Sequence, residues 1–581
     1  MHRKLSLVLA FLVLIGMQQI QSQSFLKAKG TKIINEKGED IILRGMGLGG
    51  WMLQEGYMLQ INKVGMQHVI KANITDLIGK EECDRFYDLW LQNHVTKADV
   101  DSMAKWGFNS IRLPMHYNLY TLPIEEEPVQ GENTWFKKGF ELTDSLLAWC
   151  KANKLYLILD LHAAPGGQGK DANISDYDPA KPALWENDLN KQKTIALWRK
   201  LAERYSNEPA IGGYDLINEP NWTFEGKHKN GVEDQLNKPI WDLYAEITKA
   251  IREVDKTHMI IIEGNGWGNN YNGFPGVWDN NMVFSFHKYW NPNDQEALGG
   301  ITALRDKYKV PVWLGESGEN SDKWFTDCIS LVEKNGIGWA WWPLKKIGSV
   351  ICPLMVEVPQ GYSTIVDYWN KDTERPSKEV ASKALFEVVD NLKAQKCRYN
   401  KDIIDAMFRQ VKDSTTKAFK PNTIPGILYA VDYDMGRSGI AYYDAESERT
   451  GEPGKDGGNK GRVYRNEGVD IEACNDSSKL TNGFNITSIK DAEWVKYTIQ
   501  IKKKGIYKVF ARVASDKSTG IVAFEIDNTK LKETFTIPAS GGEHKWTTIL
   551  LGNVKLEKGK HTVKLIVNKG DFKLNYLEFA L

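Results

Sequence analysis

Ala210-Ile-Gly-Gly-Tyr-Asp-Leu-Ile-Asn-Glu-Pro220 is an apolar run that stops abruptly on a carboxylate. Ile211 to Ile217 has the composition of a buried strand, and Asn218-Glu219-Pro220 breaks it. A strand packed on both faces has no place for an unpaired charge, whose burial costs several kcal/mol. Glu219 therefore marks the point where the strand stops and a cleft begins. Further along the chain, Val310-Pro-Val-Trp-Leu-Gly-Glu316 has the same form. Two Glu residues, each closing an apolar strand, can face each other across one pocket. Paired carboxylates are the equipment of glycoside hydrolysis, one as acid and the other as nucleophile or base.

Around these two runs the chain alternates between strand-like and amphipathic stretches. Eight strands are predicted, at Ile41–Gly45, Ser110–Pro114, Tyr156–Leu161, Gly213–Ile217, Met259–Glu263, Val283–Phe286, Val310–Leu314 and Gly338–Trp342. Helical patterns such as Lys137–Lys151, Lys191–Tyr205, Ile240–Glu253 and Ser321–Lys334 separate them. That alternation predicts an α/β fold, a (β/α)8 TIM barrel over residues 24–395. Polar or aromatic clusters sit at the strand ends: Arg112 with His116, Asp160 with His162, Asn218 with Glu219, His287 with Tyr289, then Glu316 and Trp342. In a parallel barrel these ends meet on one face, where active sites lie. Asp160 reads as a structural neighbour of His162. Trp341 is predicted to pack outward, because alternate residues of a strand face opposite ways.

Residues 396–426 read as a partly helical linker, with Ile403, Ile404, Met407, Phe408 and Val411 at helical spacing and Pro421 and Pro425 near its end. From 427 to 581 the chain changes to short alternating strands with turn signals, such as Trp494–Ile501 and Tyr507–Val513, which predicts an all-β jelly-roll sandwich.

The sequence carries 75 basic and 75 acidic residues with no long run of either sign, which argues against nucleic acid or an anionic membrane as partner. Met1 to Lys4 is basic, Leu5 to Met17 apolar, and Gln18 to Ser24 small and polar, the pattern of a signal peptide over residues 1–23. The apolar part is too short to span a bilayer, so a secreted or periplasmic location is expected. Six cysteines allow fifteen disulfide pairings, and none lies in a CxxC pair that would suggest zinc.

The barrel region resembles glycoside hydrolase family 5, the cellulase family. The matching pieces are Arg44-Gly-Met-Gly-Leu-Gly-Gly-Trp51, Asn109-Ser-Ile-Arg112-Leu-Pro, Asp160-Leu-His162-Ala-Ala-Pro-Gly, Leu216-Ile-Asn218-Glu219-Pro, His287-Lys-Tyr289, Leu314-Gly-Glu316 and Trp342-Pro-Leu344-Lys-Lys346. The resemblance implies Glu219 as general acid/base and Glu316 as nucleophile. It implies Asn218 on the sugar 2-hydroxyl and Arg112 bracing Glu316. His162, His287 and Tyr289 would orient the carboxylates and the sugar, with Trp342 as the platform beneath it. No metal and no organic cofactor are expected from a two-carboxylate mechanism. Gly49-Gly-Trp51-Met-Leu-Gln-Glu55-Gly-Tyr57 looks most like the branch containing exo-β-1,3-glucanases, so a β-glucan is the first substrate expected.

The last domain resembles carbohydrate-binding module family 6 through Ala430-Val-Asp-Tyr-Asp434, Gly439-Ile-Ala-Tyr-Tyr-Asp444, Val469-Asp-Ile-Glu472, Ala492-Glu-Trp494-Val-Lys-Tyr497 and Phe572-Lys-Leu-Asn575. It departs from that family where a sugar is usually sandwiched: Ser488 and Glu543 stand at the positions of the two aromatic rings. Trp494 and Trp546 read as core residues, Asn575 is kept, and Val431 replaces a Glu that binds structural calcium.

Together these readings predict a secreted, monomeric, retaining β-glycoside hydrolase acting on polysaccharide or oligosaccharide. The β-glucan expected is a β-1,3 or β-1,4 linked glucose polymer or oligomer. The alternatives are a non-catalytic polysaccharide-binding protein, or a hydrolase or transglycosylase of the same fold acting on mannan, xylan or another β-glycoside.

Overall fold

The computed structural model describes residues 23–451, 457–517 and 519–581. The segment read as a signal peptide lies outside them but for its last residue. Eight parallel strands close into a barrel. They are β1 (Arg44–Gly47), β2 (Ser110–His116), β3 (Tyr156–Ala163), β4 (Ile211–Asp215), β5 (Met259–Glu263), β6 (Met282–Lys288), β7 (Val312–Gly318) and β8 (Gly338–Trp342). The barrel shuts where Trp339 of β8 pairs with Arg44 of β1. Helices α1 (Lys97–Trp106), α2 (Lys137–Asn153), α3 (Asp188–Tyr205), α4 (Lys238–Val254), α5 (Gly299–Tyr308) and α6 (Asp322–Lys334) follow β1, β2, β3, β4, β6 and β7. After β5 only a short turn, Asn265–Gly268, with Gly266 and Trp267 left-handed, intervenes before β6.

The period of two along each strand divides the barrel into an outer and an inner set. Ile111, Leu113 and Met115, Leu157 and Leu159, Ile260 and Ile262, Phe284, Leu314, Trp339 and Trp341 belong to the strand–helix core. Trp341 packs on Phe325 of α6 with ring centroids 5.0 Å apart, on the outside as expected. The intervening residues Ile158, Met259, Ile261, Val283, Trp313 and Ala340 fill the barrel floor with Leu26, Ile33 and Leu43. Continuing that inner set upward along each strand gives Arg112, Asp160 and His162, Asp215, Glu263, His287 and Trp342.

On β7 the simple alternation fails, and the failure places a carboxylate. Phe286 of β6 pairs with Leu314, but the next residue, His287, pairs with Glu316, so Gly315 is an extra residue in β7. A Cβ at Gly315 would lie 2.1 Å from Ser285 Oγ. The bulge at this glycine shifts the parity, so that Trp313 faces inward on the floor and Glu316 faces inward at the mouth.

The linker expected at 396–426 contains one continuous helical stretch, Lys401–Ile404, a π-turn at Asp405–Arg409 and Gln410–Lys412. Thr326 of α6 fastens it, donating to the Ala406 carbonyl at 2.9 Å. The sandwich that follows has two six-stranded sheets among the described residues. Ile499, Tyr507, Val522, Val563, Leu577 and others of their inner faces make its core. Asn422–Ile424 and Gly426–Tyr429 already pair within these sheets. All six cysteines are unpaired, and Cys83, Cys150, Cys328 and Cys352 are buried as small apolar residues. No helix among the described residues is long and apolar enough to cross a membrane.

Gly315→Ala is expected to destabilise the protein by about 1–3 kcal/mol, the usual cost of overpacking a tight interior. Chemical denaturation checks this. An unchanged midpoint would mean that β7 does not need its glycine.

Candidate active site

Arg112, rising from β2 into the barrel mouth, is the hub. Its Nη1 donates to Glu316 Oε2 at 2.8 Å. Its Nη2 donates to Asp215 Oδ2 at 2.9 Å, Asn218 Oδ1 at 2.9 Å and Glu263 Oε1 at 3.0 Å. Asp160 Oδ1 lies 3.3 Å from the same nitrogen. Burial works against the charge on Arg112, but Asp160, Asp215, Glu263 and Glu316 together raise its pKa. Burial lifts Asp160 and Asp215 well above the usual carboxylate range despite the guanidinium.

Glu219 follows β4 with a left-handed backbone, φ 41°. That strain is held by its neighbours, its own N–H donating to Glu263 Oε2 at 2.7 Å. His287 lies between the two acids, with Nδ1 2.6 Å from Glu219 Oε1 and Nε2 3.1 Å from Glu263 Oε1. Burial pulls His287 down, but Glu263, Glu316 and Glu219 hold it well above the ordinary imidazole range. Burial pushes Glu219 up to about 7; the charge and hydrogen bond of His287 oppose the rise, and Glu316 adds to it. Tyr289 donates its hydroxyl to Glu316 Oε1, so both oxygens of Glu316 are held. Atoms of Glu219, His287 and Glu316 lie within 4.8 Å of one another.

His162 accepts the support of Asp160, with Nδ1 2.8 Å from Asp160 Oδ2, and burial lowers its pKa to about 3, leaving the ring neutral. Its other nitrogen lies 3.2 Å from Asn218 Nδ2. Trp342 stacks flat on His162 with centroids 5.1 Å apart. The ring comes so close to the first-strand loop that a Cβ at Gly49 would lie 2.5 Å from it. Trp342 is 2% exposed, and its Nε1 donates to the Tyr57 hydroxyl at 2.8 Å.

All eight residues expected at the site, Glu219, Glu316, Arg112, His162, Asn218, His287, Tyr289 and Trp342, meet at this mouth. His116, another polar strand-end residue, turns instead to Asp176, 2.9 Å away. Four further residues belong to the cluster: Asp215, Glu263, Glu55 and Tyr57. Glu263 closes β5 as Glu219 and Glu316 close their strands, so its signal was in the sequence. Glu55 and Tyr57 lie in the quoted first-strand motif. Burial, then Glu316 and Glu219, raise Glu55 well above its usual range.

In the sandwich, Ser488 and Glu543 are exposed at the expected aromatic positions. Asn575 is fully buried and donates to Asp476 Oδ2 at 3.0 Å, so its amide is already engaged inside the domain. Trp494 and Trp546, expected in the core, are half-buried. Lys564 Nζ covers the Trp494 ring at 3.8 Å, and Trp546 Nε1 donates to Asn475 Oδ1 at 2.9 Å. Both stand on strands whose outer faces carry long polar side chains able to shield an indole ring.

Residues 68–347 match the family model described as Cellulase (glycosyl hydrolase family 5), and residues 462–580 match Carbohydrate binding module (family 6). Similar proteins include the "Beta-xylosidase" of Phanerodontia chrysosporium, 28% identical over 362 residues that cover 56% of this chain and 71% of the relative. "Endoglucanase C" of Acetivibrio thermocellus is 26% identical over 367 residues, 52% of this chain and 91% of the relative. "Probable glucan 1,3-beta-glucosidase A" of Aspergillus niger is 26% identical over 251 residues, 43% of this chain and 55% of the relative. With the barrel and its carboxylate cluster, these matches place the catalytic region in glycosyl hydrolase family 5 and the C-terminal region in carbohydrate binding module family 6, so the chain is a glycoside hydrolase that acts on carbohydrate.

Proposed function

We propose that the chain is a secreted, monomeric, retaining β-glycoside hydrolase that cleaves β-glucan, with Glu219 as acid/base and Glu316 as nucleophile. In this reading residues 1–23 are the signal peptide, 24–395 the catalytic domain, 396–426 the linker and 427–581 the sandwich module. The observation that carries it is the closeness of the two acids, one carboxylate oxygen of Glu219 lying within 4.8 Å of one of Glu316. That is close to the separation of about 5–5.5 Å used in double displacement. Inversion needs about 6.5–9.5 Å, to leave room for a water between the carboxylates.

The environments of the two acids differ as the reaction requires. Arg112 and Tyr289 hold both oxygens of Glu316 and fix its direction. Glu219, raised to about 7 first by burial, keeps a proton near neutral pH. Glu316 attacks the anomeric carbon while Glu219 gives its proton to the departing oxygen, which forms the glycosyl-enzyme. Glu219 then takes a proton from water, the water attacks the anomeric carbon, and Glu316 leaves. Asn218, fixed by Arg112, holds the sugar 2-hydroxyl, and neutral His162 with Trp342 shapes the floor beneath the ring.

The relatives named for endoglucanase and glucan 1,3-glucosidase activity, with the Gly49–Tyr57 motif, support a glucan. The similar β-xylosidase keeps a xyloside as the second reading.

A product profile on laminarin, mixed-linkage glucan, carboxymethylcellulose, mannan and xylan tests the reading. Glucose alone from laminarin identifies an exo-acting β-1,3-glucanase, and a ladder from one polymer identifies an endo-enzyme and its bond. Glu219→Ala should lower turnover by about 10²–10⁴-fold, the usual worth of general acid–base catalysis. Glu316→Ala should abolish covalent intermediate formation, with both variants still folded. A loss below tenfold in either would remove the assignment. kcat/KM should fall about tenfold per pH unit above about pH 7 as Glu219 loses its proton. A flat profile to pH 9 would mean that Glu219 is not the acid.

A further inference from the structure

A cavity of 360 Å³ opens where the sandwich meets the barrel. On the barrel side its wall includes Tyr57, Glu319 and Lys346. Tyr57 accepts from Trp342 in the floor of the site, and Glu319 lies just past Glu316 in the chain. Lys346 Nζ pairs with Glu319 Oε1 at 2.7 Å and sits 4.2 Å above the Tyr57 ring. The sandwich side adds Arg449, Asn459 and Arg462.

The seam around this cavity is fixed by buried polar contacts. Asn320 Oδ1 accepts from the Arg449 N–H at 3.0 Å, and its Nδ2 donates to the Arg449 carbonyl at 2.7 Å. Ser321 Oγ donates to the Ser447 carbonyl at 2.6 Å, and Asn466 Nδ2 donates to Asp322 Oδ1 at 2.8 Å. Asn320, Ser321, Asp322, Ser447 and Asn466 are all buried. The Arg449 guanidinium donates to the Glu319 carbonyl. Trp290 leans on the same carbonyl, its Nε1 at 3.4 Å, and is 58% exposed beside Tyr289.

The Arg449 and Arg462 guanidinium groups, the Lys346–Glu319 pair and the face of the Tyr57 ring suit a sugar, which offers hydroxyls at its edge and an apolar face. The volume lies within the range of about 300–1,000 Å³ of ligand sites. The module's own aromatic positions hold Ser488 and Glu543, whereas this wall presents two guanidinium groups from the sandwich. We propose that the cavity is a glycosyl subsite shared by the two domains. It takes the neutral pyranose next to the unit held at the carboxylates, and it thereby sets the chain length that the enzyme prefers. The proposal rests on the hydrolase reading above.

Arg449→Ala and Arg462→Ala, in the full chain, test it. kcat/KM is measured on oligosaccharides of two to six units of the polymer that the enzyme degrades, and on the matching 4-nitrophenyl β-glycoside, which offers a single sugar. Loss of one or two hydrogen bonds from charged donors should lower kcat/KM about tenfold on chains that reach the cavity. That drop should exceed the drop on the aryl glycoside at least about fivefold. Equal drops on both substrates, or none on any oligosaccharide in either variant, would overturn the subsite. Arg462 is exposed and lies outside the seam contacts named above, so its variant reports even if Arg449→Ala fails to fold. An unaltered enzyme that hydrolyses neither substrate would instead overturn the hydrolase reading.

Discussion

Arg112 of β2 is a buried cation that touches four carboxyl groups and an amide, drawn from β3, β4, β5 and β7 and the loop after β4. Without it, the acids at the barrel mouth would repel one another in a region with little water to screen them. With it, their charges are shared unequally. Glu316 receives a direct hydrogen bond at 2.8 Å, whereas Glu219 has none from the guanidinium and relies on His287. The differing chemistry of the two carboxylates follows from that asymmetry.

The same constraint explains the backbone irregularities at the mouth. Glu219 occupies a left-handed conformation that costs of order 1–3 kcal/mol, held by a hydrogen bond from its N–H to Glu263. Glu316 reaches the mouth because Gly315 interrupts the pairing of β7. Irregular backbone thus stands at both acids, supported by a regular barrel whose floor is packed with Ile158, Ile261, Val283 and Trp313.

The sandwich is fastened to the barrel at α6 and at the loop after β7, where buried Asn320 donates to the Arg449 carbonyl and buried Asn466 donates to the Asn320 carbonyl. Buried polar groups of this kind carry a desolvation cost when left unpaired, so they hold one relative placement of the two domains. Its position beside the catalytic mouth contrasts with a module tethered only by a flexible linker.

Local sequence determined much of this protein. Strand and helix periodicities predicted the barrel and the sandwich, and the strand-end motifs contained all eight residues that meet at the mouth. Glu263 shows how such reading falls short: it has the same strand-end form as Glu219 and Glu316, yet its role depends on Arg112, His287 and the Glu219 backbone, all distant in sequence. Asp215 reads as part of an apolar strand, and only barrel closure brings it to Arg112. Set against the resemblance to the binding module, Trp494 and Trp546 read as core residues rather than platforms, but Lys564 over one ring and Asn475 on the other indole leave them half-buried. Periodicity and chain-local chemistry are visible in a single sequence because they depend on neighbours along the chain. Which carboxylate meets which cation, and where the sandwich lies against the cleft, depends on long-range packing, and only the tertiary structure decided that.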